Sequence, residues 1–96
     1  MTFEEAIISL GTEPEQVTAK LREKSIKGYR RMASNCPISN YLKSCGFSMV
    51  YVSNIAGAQL DSGEEVQVLL PPGIRQWVRD FDDGCYSEFR LETSHS

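Results

Sequence analysis

Apolar residues recur at helical spacing near the start of the chain. Thr2 and Glu5 form a capping-box pattern, which predicts a short amphipathic helix beginning there. Thr12 and Glu15 repeat that pattern, so a second helix is predicted to begin there and to end within residues 25–28. The apolar stripes of these two helices consist of Phe3, Ala6, Ile7, Leu10, Val17 and Leu21.

Helical spacing returns after a polar and cationic stretch. Pro37 suits the first helical position, with Ser34, Asn35 or Cys36 as the N-cap, and Gly46 ends the helix. The apolar stripe of this third helix consists of Ile38, Tyr41, Leu42 and Cys45.

The second half of the chain changes to β-type residues. Residues 47–53 are apolar on both faces and are predicted to form a central strand. Residues 65–70 alternate and predict its partner strand, with Val66, Val68 and Leu70 on one face. Between them, residues 54–63 contain turn formers, which allow either a long hairpin loop or a short extra strand around residues 58–60. A last helix is predicted over residues 73–83, with a buried stripe of Ile74, Trp77, Val78 and Phe81.

The order of these elements predicts an α+β fold, in which about four short helices pack on a small antiparallel sheet in the order ααα-ββ-α. The alternative is a winged helix-turn-helix, with the third helix reading bases through Ser39, Asn40 and Lys43 and with residues 54–63 as the wing. Two features oppose it. The connection before the third helix is long, and the wing segment has no Lys or Arg to contact phosphate.

Length and composition are typical of one globular domain. The chain has 96 residues, of which 41% are hydrophobic and 24% charged, enough for a single core. We expect this domain to span residues 1–91 and to be followed by a disordered polar tail at residues 92–96. The longest apolar run is far shorter than the roughly 20 residues of a membrane span, and the acidic N-terminus is unlike a signal peptide. A cytoplasmic location with no membrane partner is predicted.

Cysteine and histidine usage gives no metal, cofactor or disulfide pattern. Cys36, Cys45 and Cys85 are odd in number and widely spaced, which is typical of reduced thiols. The single histidine, His95, lies in the predicted tail. We therefore predict no cofactor, no metal site and no catalytic residue.

Charge is distributed unevenly along the chain. Residues 16–43 carry seven cationic side chains against one acid, whereas residues 46–96 carry three against eight. This asymmetry favours an anionic partner for one surface, although a solvated helix face plus ordinary surface scatter explains it equally well. Lys20, Lys24 and Lys27 are spaced i, i+4 and i+7, which predicts a basic stripe continuing into the loop, with Glu23 and Lys27 as an ion pair.

The loop before the third helix is the main candidate for ligand binding. Loop cations and the unpaired N–H groups of a helix start can converge on one phosphate, and an aromatic ring can stack on a base. The predicted ligand-binding residues are Lys24, Lys27, Tyr29, Arg30, Arg31, Ser34, Asn35 and Cys36. The alternative is that Arg30 and Arg31 pair with the acidic half and that Tyr29 packs on the core.

Two further groups have weaker chemical signals. A thiol at a helix start can be stabilised as a thiolate, but a phosphatase-type loop needs an arginine where this chain has Leu42, so Cys36 is expected to be structural. Asp80, Asp82 and Asp83 cluster at the end of the last helix, where acids oppose the helix dipole. They are either solvated or a face for a basic protein partner.

Four segments of the chain resemble a loose group of short, uncharacterised proteins from actinobacteria and their phages. These segments are LREKSIKG at 21–28, NCPISNYL at 35–42, LPP at 70–72 and FDDGCY at 81–86. The resemblance carries no activity, but it implies a phage or mobile-element origin, where small acidic proteins often bind and block a host factor.

These observations predict a non-enzymatic protein that binds a phosphate-bearing ligand, either a nucleotide or a nucleic acid, at the basic loop and helix start. The alternative is a protein-interaction module that inhibits a host factor through its acidic C-terminal half. The sequence leaves the oligomeric state open.

Overall fold

Four α-helices, three β-strands and a short 3₁₀ helix follow one another along residues 2–91, the part of the chain that the computed structural model describes. The helices are α1 (Phe3–Ile8), α2 (Pro14–Glu23), α3 (Pro37–Ser44) and α4 (Pro72–Asp82). The strands are β1 (Ser48–Val52), β2 (Ile55–Gln59) and β3 (Glu65–Leu69), and the 3₁₀ helix is Ser87–Phe89. The predicted α+β class is confirmed, and β2 is the extra strand allowed for residues 54–63, although it lies earlier than the expected residues 58–60. The predicted tail, with His95, lies outside the described residues.

The two N-terminal helices show how local chemistry sets their starts. At α1 the predicted capping box is present: Thr2 Oγ1 accepts the Glu5 N–H at 3.1 Å, and Glu5 Oε1 accepts the Thr2 N–H at 2.8 Å. At α2 the predicted capping box is wrong by one residue. Pro14 occupies the first turn, which makes Glu13 the N-cap, and Gln16 Oε1 accepts the Glu13 N–H at 3.1 Å.

The sheet is an antiparallel meander in the order β1-β2-β3. The prediction that residues 47–53 form the central strand is therefore wrong, because β2 is central and β1 lies at an edge. Alanine and glycine in β2 weaken its sequence signal, but glycine is required at position 57, since a Cβ there would collide with the ring of Tyr51 on β1. Since residues 54–63 contain this strand, they do not form a wing.

One face of the sheet is buried under the helices, and the other is open. Val50, Val52, Ala56 and Ala58 are buried, and Val66 and Val68 are half-buried beside them. The opposite face carries Ile55 and Leu69, which are 40% and 63% exposed. Trp77 lies at the centre of the helical layer. Its ring stacks on Phe81 and Tyr86, and its Nε1–H donates to Thr18 Oγ1 at 3.0 Å.

The connection from α2 to α3 is held by the C-terminal segment and by the start of α3. The Gly28 N–H donates to the Phe89 carbonyl at 2.9 Å, and the Leu91 N–H donates to the Gly28 carbonyl at 2.8 Å. This short parallel pairing fixes the path of residues 24–36, the loop between α2 and α3, which we call the cationic loop. Within residues 2–91, no helix is long and apolar enough to cross a bilayer.

Candidate anion-binding site

The start of α3, where an anion site was predicted, is closed by the protein itself. Cys36 is the N-cap, and its Sγ accepts the Ser39 N–H at 3.4 Å. Gly28 packs directly on this turn, since a Cβ there would lie 2.5 Å from the Asn35 carbonyl oxygen and from Pro37 N. Pro37 has no N–H to offer a phosphate, and the Ser39 N–H already binds the thiol sulfur. Two donors that a phosphate would need at this helix start are therefore absent or occupied.

Burial of Cys36 opposes thiolate chemistry. Only 4% of the residue is exposed, and this burial raises the pKa of the thiol despite the opposing hydrogen bonds from Ser39 and Ile38. The geometry agrees with a structural role for Cys36 as a small apolar cap. Among the other thiols, Cys45 is half-buried and Cys85 is exposed.

The three residues considered for base contact bind the backbone instead. Ser39 is fully buried, and its hydroxyl donates to the Cys36 carbonyl at 2.9 Å. The Asn40 amide donates to the Lys27 and Asn35 carbonyls, and Lys43 Nζ donates to the Ser34 carbonyl. These side chains tie α3 to the loop before it, and the expectation that they contact bases stays a prediction.

The predicted basic stripe is not formed. Helix α2 ends at Glu23, so Lys24 and Lys27 lie beyond it, and the acid pairs with Lys20 at 3.8 Å rather than with Lys27. Lys27 instead lines a cleft of about 160 Å³ together with Glu88. The cations that were expected to act together are thus distributed over different surfaces.

Glu88 pairs with Arg22, a cation of residues 16–43, which we call the basic segment. Its carboxylate forms a bidentate pair with Arg22, at 2.6 and 3.1 Å, and this hydrogen bonding lowers the pKa of Glu88. The pair is exposed, with about half of each side chain in solvent. Arg22 is therefore satisfied within the fold.

The remaining loop residues lie along the end of α4. Tyr29 is half-buried, and its N–H donates to the Asn35 carbonyl at 2.8 Å. Arg30 Nη1 lies beside Gly84, and the Arg31 N–H donates to Asp82 Oδ1 at 2.8 Å. Arg31 has a φ of 60°, so this hydrogen bond holds a left-handed turn that turns the loop toward α4.

Two adjoining clefts lie between this loop, the β1–β2 turn and α4. The first, of about 210 Å³, has an apolar lining that includes Met32, Val52 and Val78, with Arg31 and Asp82 at its side. The second, of about 240 Å³, is lined by Ser53, Asn54, Arg75, Val78, Arg79 and Asp82. Since they share Ser53, Val78 and Asp82, we treat them as one feature and call it the arginine groove.

Arg75 is the least satisfied polar group of the arginine groove. Its Nε is buried and has no hydrogen-bond partner within residues 2–91. Buried donors are nearly always paired, so this N–H keeps a hydrogen-bonding capacity that no protein group within residues 2–91 uses. Arg75 and Arg79 are one helical turn apart on α4 and therefore line the same cleft.

Sequence reasoning missed the arginine groove because Arg75 and Arg79 lie in the acidic half of the chain. Their i, i+4 spacing was the available signal, but no sequence rule places Arg31 and the β1–β2 turn opposite them. The fold brings three arginines to one groove, with a single carboxylate, Asp82, already accepting a backbone N–H.

The three clustered acids do not act as one group. Asp80 Oδ1 accepts from the Gln76 amide at 2.8 Å, Asp82 accepts from Arg31, and Asp83 is exposed at the end of α4. Among residues 2–91, no three His, Cys, Asp or Glu side chains are grouped so that they could hold a metal ion.

Comparison with known proteins leaves the site to be judged on its geometry. No protein-family model, no curated protein and no solved structure matches this chain.

Proposed function

We propose that this protein is a non-enzymatic binding module that holds a phosphate-bearing ligand, a nucleotide or a nucleic acid, in the arginine groove. The supporting observation is the buried, unpaired Nε of Arg75 beside a cleft that Arg79 also lines. Guanidinium groups bind phosphate oxygens bidentately, and charge-assisted hydrogen bonds of this kind contribute about 1.5–3 kcal/mol each. The proposal keeps the ligand class predicted from the sequence but moves the site away from the start of α3.

The two parts of the arginine groove suit different parts of such a ligand. The side with Arg75, Arg79 and Asn54 offers donors for a phosphate, while the side with Met32 and Val78 offers apolar surface for a base or sugar. One carboxylate faces the same space. The Arg31 N–H already binds Asp82, which reduces its repulsion of an anion. A phage or mobile-element origin fits a small binding protein and stays a prediction.

Binding measurements with charge-matched variants test this proposal. We would titrate the protein with inorganic phosphate, a mononucleotide and a labelled single-stranded oligonucleotide, each at several salt concentrations. Arg75→Gln/Arg79→Gln should weaken binding by at least about tenfold, since two phosphate-binding groups are lost. Preference among the three probes then identifies the ligand class.

The matched control is Lys24→Gln/Arg30→Gln, which removes the same charge from the predicted loop site. It should weaken binding less than about twofold, through long-range electrostatics alone. An equal loss in both double variants would show unspecific attraction to positive charge. A wild-type protein that binds none of the three probes at low salt would overturn the proposal.

The alternative, a module that inhibits a host factor through its acidic half, also remains a proposal. Asp83 is exposed in that half, whereas Asp80, Asp82 and Glu88 make contacts within the fold. Asp83→Asn should therefore weaken capture of a basic host protein more than Asp80→Asn does. An unchanged stoichiometric capture by both variants would exclude this acidic face.

A further inference from the structure

The two edges of the sheet are protected differently. On β1, the register shifts between Ser48 and Tyr51, and Met49 has a φ of 53°, which together form a bulge. The Val52 N–H on this strand donates to the Ala33 carbonyl of the cationic loop at 2.9 Å. A bulge and a covering loop both prevent another strand from pairing here.

The β3 edge has no such protection. At one end of the β2–β3 ladder the Leu60 N–H donates to the Glu64 carbonyl, and at the other end the Leu70 N–H donates to the Asn54 carbonyl. Because hydrogen-bonded pairs alternate along an antiparallel ladder, the even-numbered residues of β3 form the hydrogen-bonded pairs with β2. The N–H and C=O groups of Glu65, Gln67 and Leu69 therefore point away from β2, and β3 pairs with no other strand within residues 2–91. The strand contains no Lys, no Pro and no bulge.

We infer that this edge pairs with the β3 edge of a second copy of the chain, antiparallel and centred on Gln67. In this register Gln67 faces its own counterpart, and Glu65 faces Leu69 of the other copy. Every outward N–H and C=O of these three residues then has a partner. The only charged residue of the strand meets an apolar residue, so no like charges oppose each other.

The side chains around Gln67 favour this self-pairing. The Gln67 amide donates to Tyr51 Oη at 2.7 Å, which fixes its direction across the open face of the sheet. The amide therefore points toward β1 and away from the two-fold axis, so it does not obstruct the pairing of the two β3 edges. On the other face, the half-buried Val66 and Val68 gain apolar neighbours from the second copy.

The size of this contact sets its strength. One pair of five-residue strands buries less than the roughly 1,200–2,000 Å² of a standard interface. The dimer is therefore weak, and it forms at high protein concentration rather than as a permanent assembly. A six-stranded sheet results, centred on the paired β3 strands.

Sedimentation velocity over a range of protein concentrations tests the inference. The wild-type chain, of 10.8 kDa, should shift to twice its mass as concentration rises. Gln67→Lys places two like charges face to face and should weaken dimerisation by at least about tenfold, less so at high salt. Gln67→Pro removes an N–H that points away from β2, so it should abolish the dimer while leaving the fold intact.

The matched control is Gln59→Lys, on the open face of the central strand, which should dimerise as the wild type does. Far-UV circular dichroism identifies folded variants, and Gln67→Lys alone decides the outcome if the proline variant unfolds. A wild-type protein that stays monomeric at millimolar concentration would overturn the inference. So would dimerisation of folded Gln67→Lys at the wild-type concentration.

Discussion

Two cations of the basic segment, Arg22 and Lys43, and two arginines of α4 have opposite fates in this fold. In the basic segment, Arg22 pairs with Glu88 and Lys43 binds the Ser34 carbonyl, so both charges stabilise the fold. On α4, Arg75 and Arg79 make no ion pair within residues 2–91, and the Arg75 Nε has no acceptor. Density of charge along a sequence thus predicts an anion site less well than the lack of intramolecular partners does.

The largest expected effect comes from breaking the packing of the basic segment on α3. Gly28→Ala would place a Cβ 2.5 Å from backbone atoms of Asn35, Cys36 and Pro37, none of which is the flexible end of a side chain. We expect the free energy of unfolding to fall by about 3–4 kcal/mol, measured by urea denaturation.

Gly63→Ala is the matched control for that substitution. A Cβ at Gly63 meets no atom within 4 Å, and only its φ of 89° opposes the change, so the loss should be about 1 kcal/mol. Equal losses in the two variants would show that Gly28 does not pack against α3 as described.

The next effect concerns the sulfur at the start of α3. Cys36 should react with iodoacetamide about a hundredfold more slowly than exposed Cys85, equivalent to roughly 3 kcal/mol of local opening, because burial raises its pKa and blocks access. Half-buried Cys45 should react at an intermediate rate. Mass spectrometry of timed samples gives the three rates.

Urea-unfolded protein provides the reference, since all three thiols should react at similar rates there. Alkylation of Cys36 as fast as that of Cys85 in the native state would mean that the start of α3 is open and that an anion could reach it.

Local signals predicted the helices well, whereas the site depended on tertiary structure. The capping box at Thr2 and the Pro37 start follow from hydrogen-bonding rules that act over a few residues. The central position of β2 did not follow, because its Gly57 is required by the neighbouring Tyr51 ring, a contact that local sequence does not show. The arginine groove combines residues from three distant segments, which no periodicity brings together.

A smaller effect is the change in the free energy of unfolding when one cation of each set is removed, and its sign should differ between Arg75 and Lys43. Arg75→Met keeps the apolar stem of the side chain and removes a buried, unpaired N–H, so it should stabilise the free protein by about 1 kcal/mol. Lys43→Met removes a hydrogen bond to the Ser34 carbonyl and should destabilise it by about 0.5–1 kcal/mol. Thermal unfolding without ligand measures both.

Arg79→Met, one turn along the same helix and exposed, should change stability by less than about 0.5 kcal/mol. Destabilisation by Arg75→Met would mean that the Arg75 guanidinium already has hydrogen-bond partners in the free protein. The proposal of an anion-binding site in the arginine groove would then lose its main support.

The smallest effect is the pH dependence of the exposed pair between Arg22 and Glu88. Hydrogen bonding to Arg22 lowers the pKa of Glu88 below its usual 4.5, so the pair stabilises the fold above that pH and stops doing so as pH falls through the lowered value. Glu88→Gln should therefore lower the Tm slightly at pH 6, and its Tm should converge progressively on that of the wild type as the pH falls below 4.5. Glu64→Gln, which removes an exposed acid that makes no ion pair within residues 2–91, should show no such convergence. A Tm difference for Glu88→Gln that does not change as the pH falls would mean that Arg22, like Arg75 and Arg79, makes no ion pair in solution.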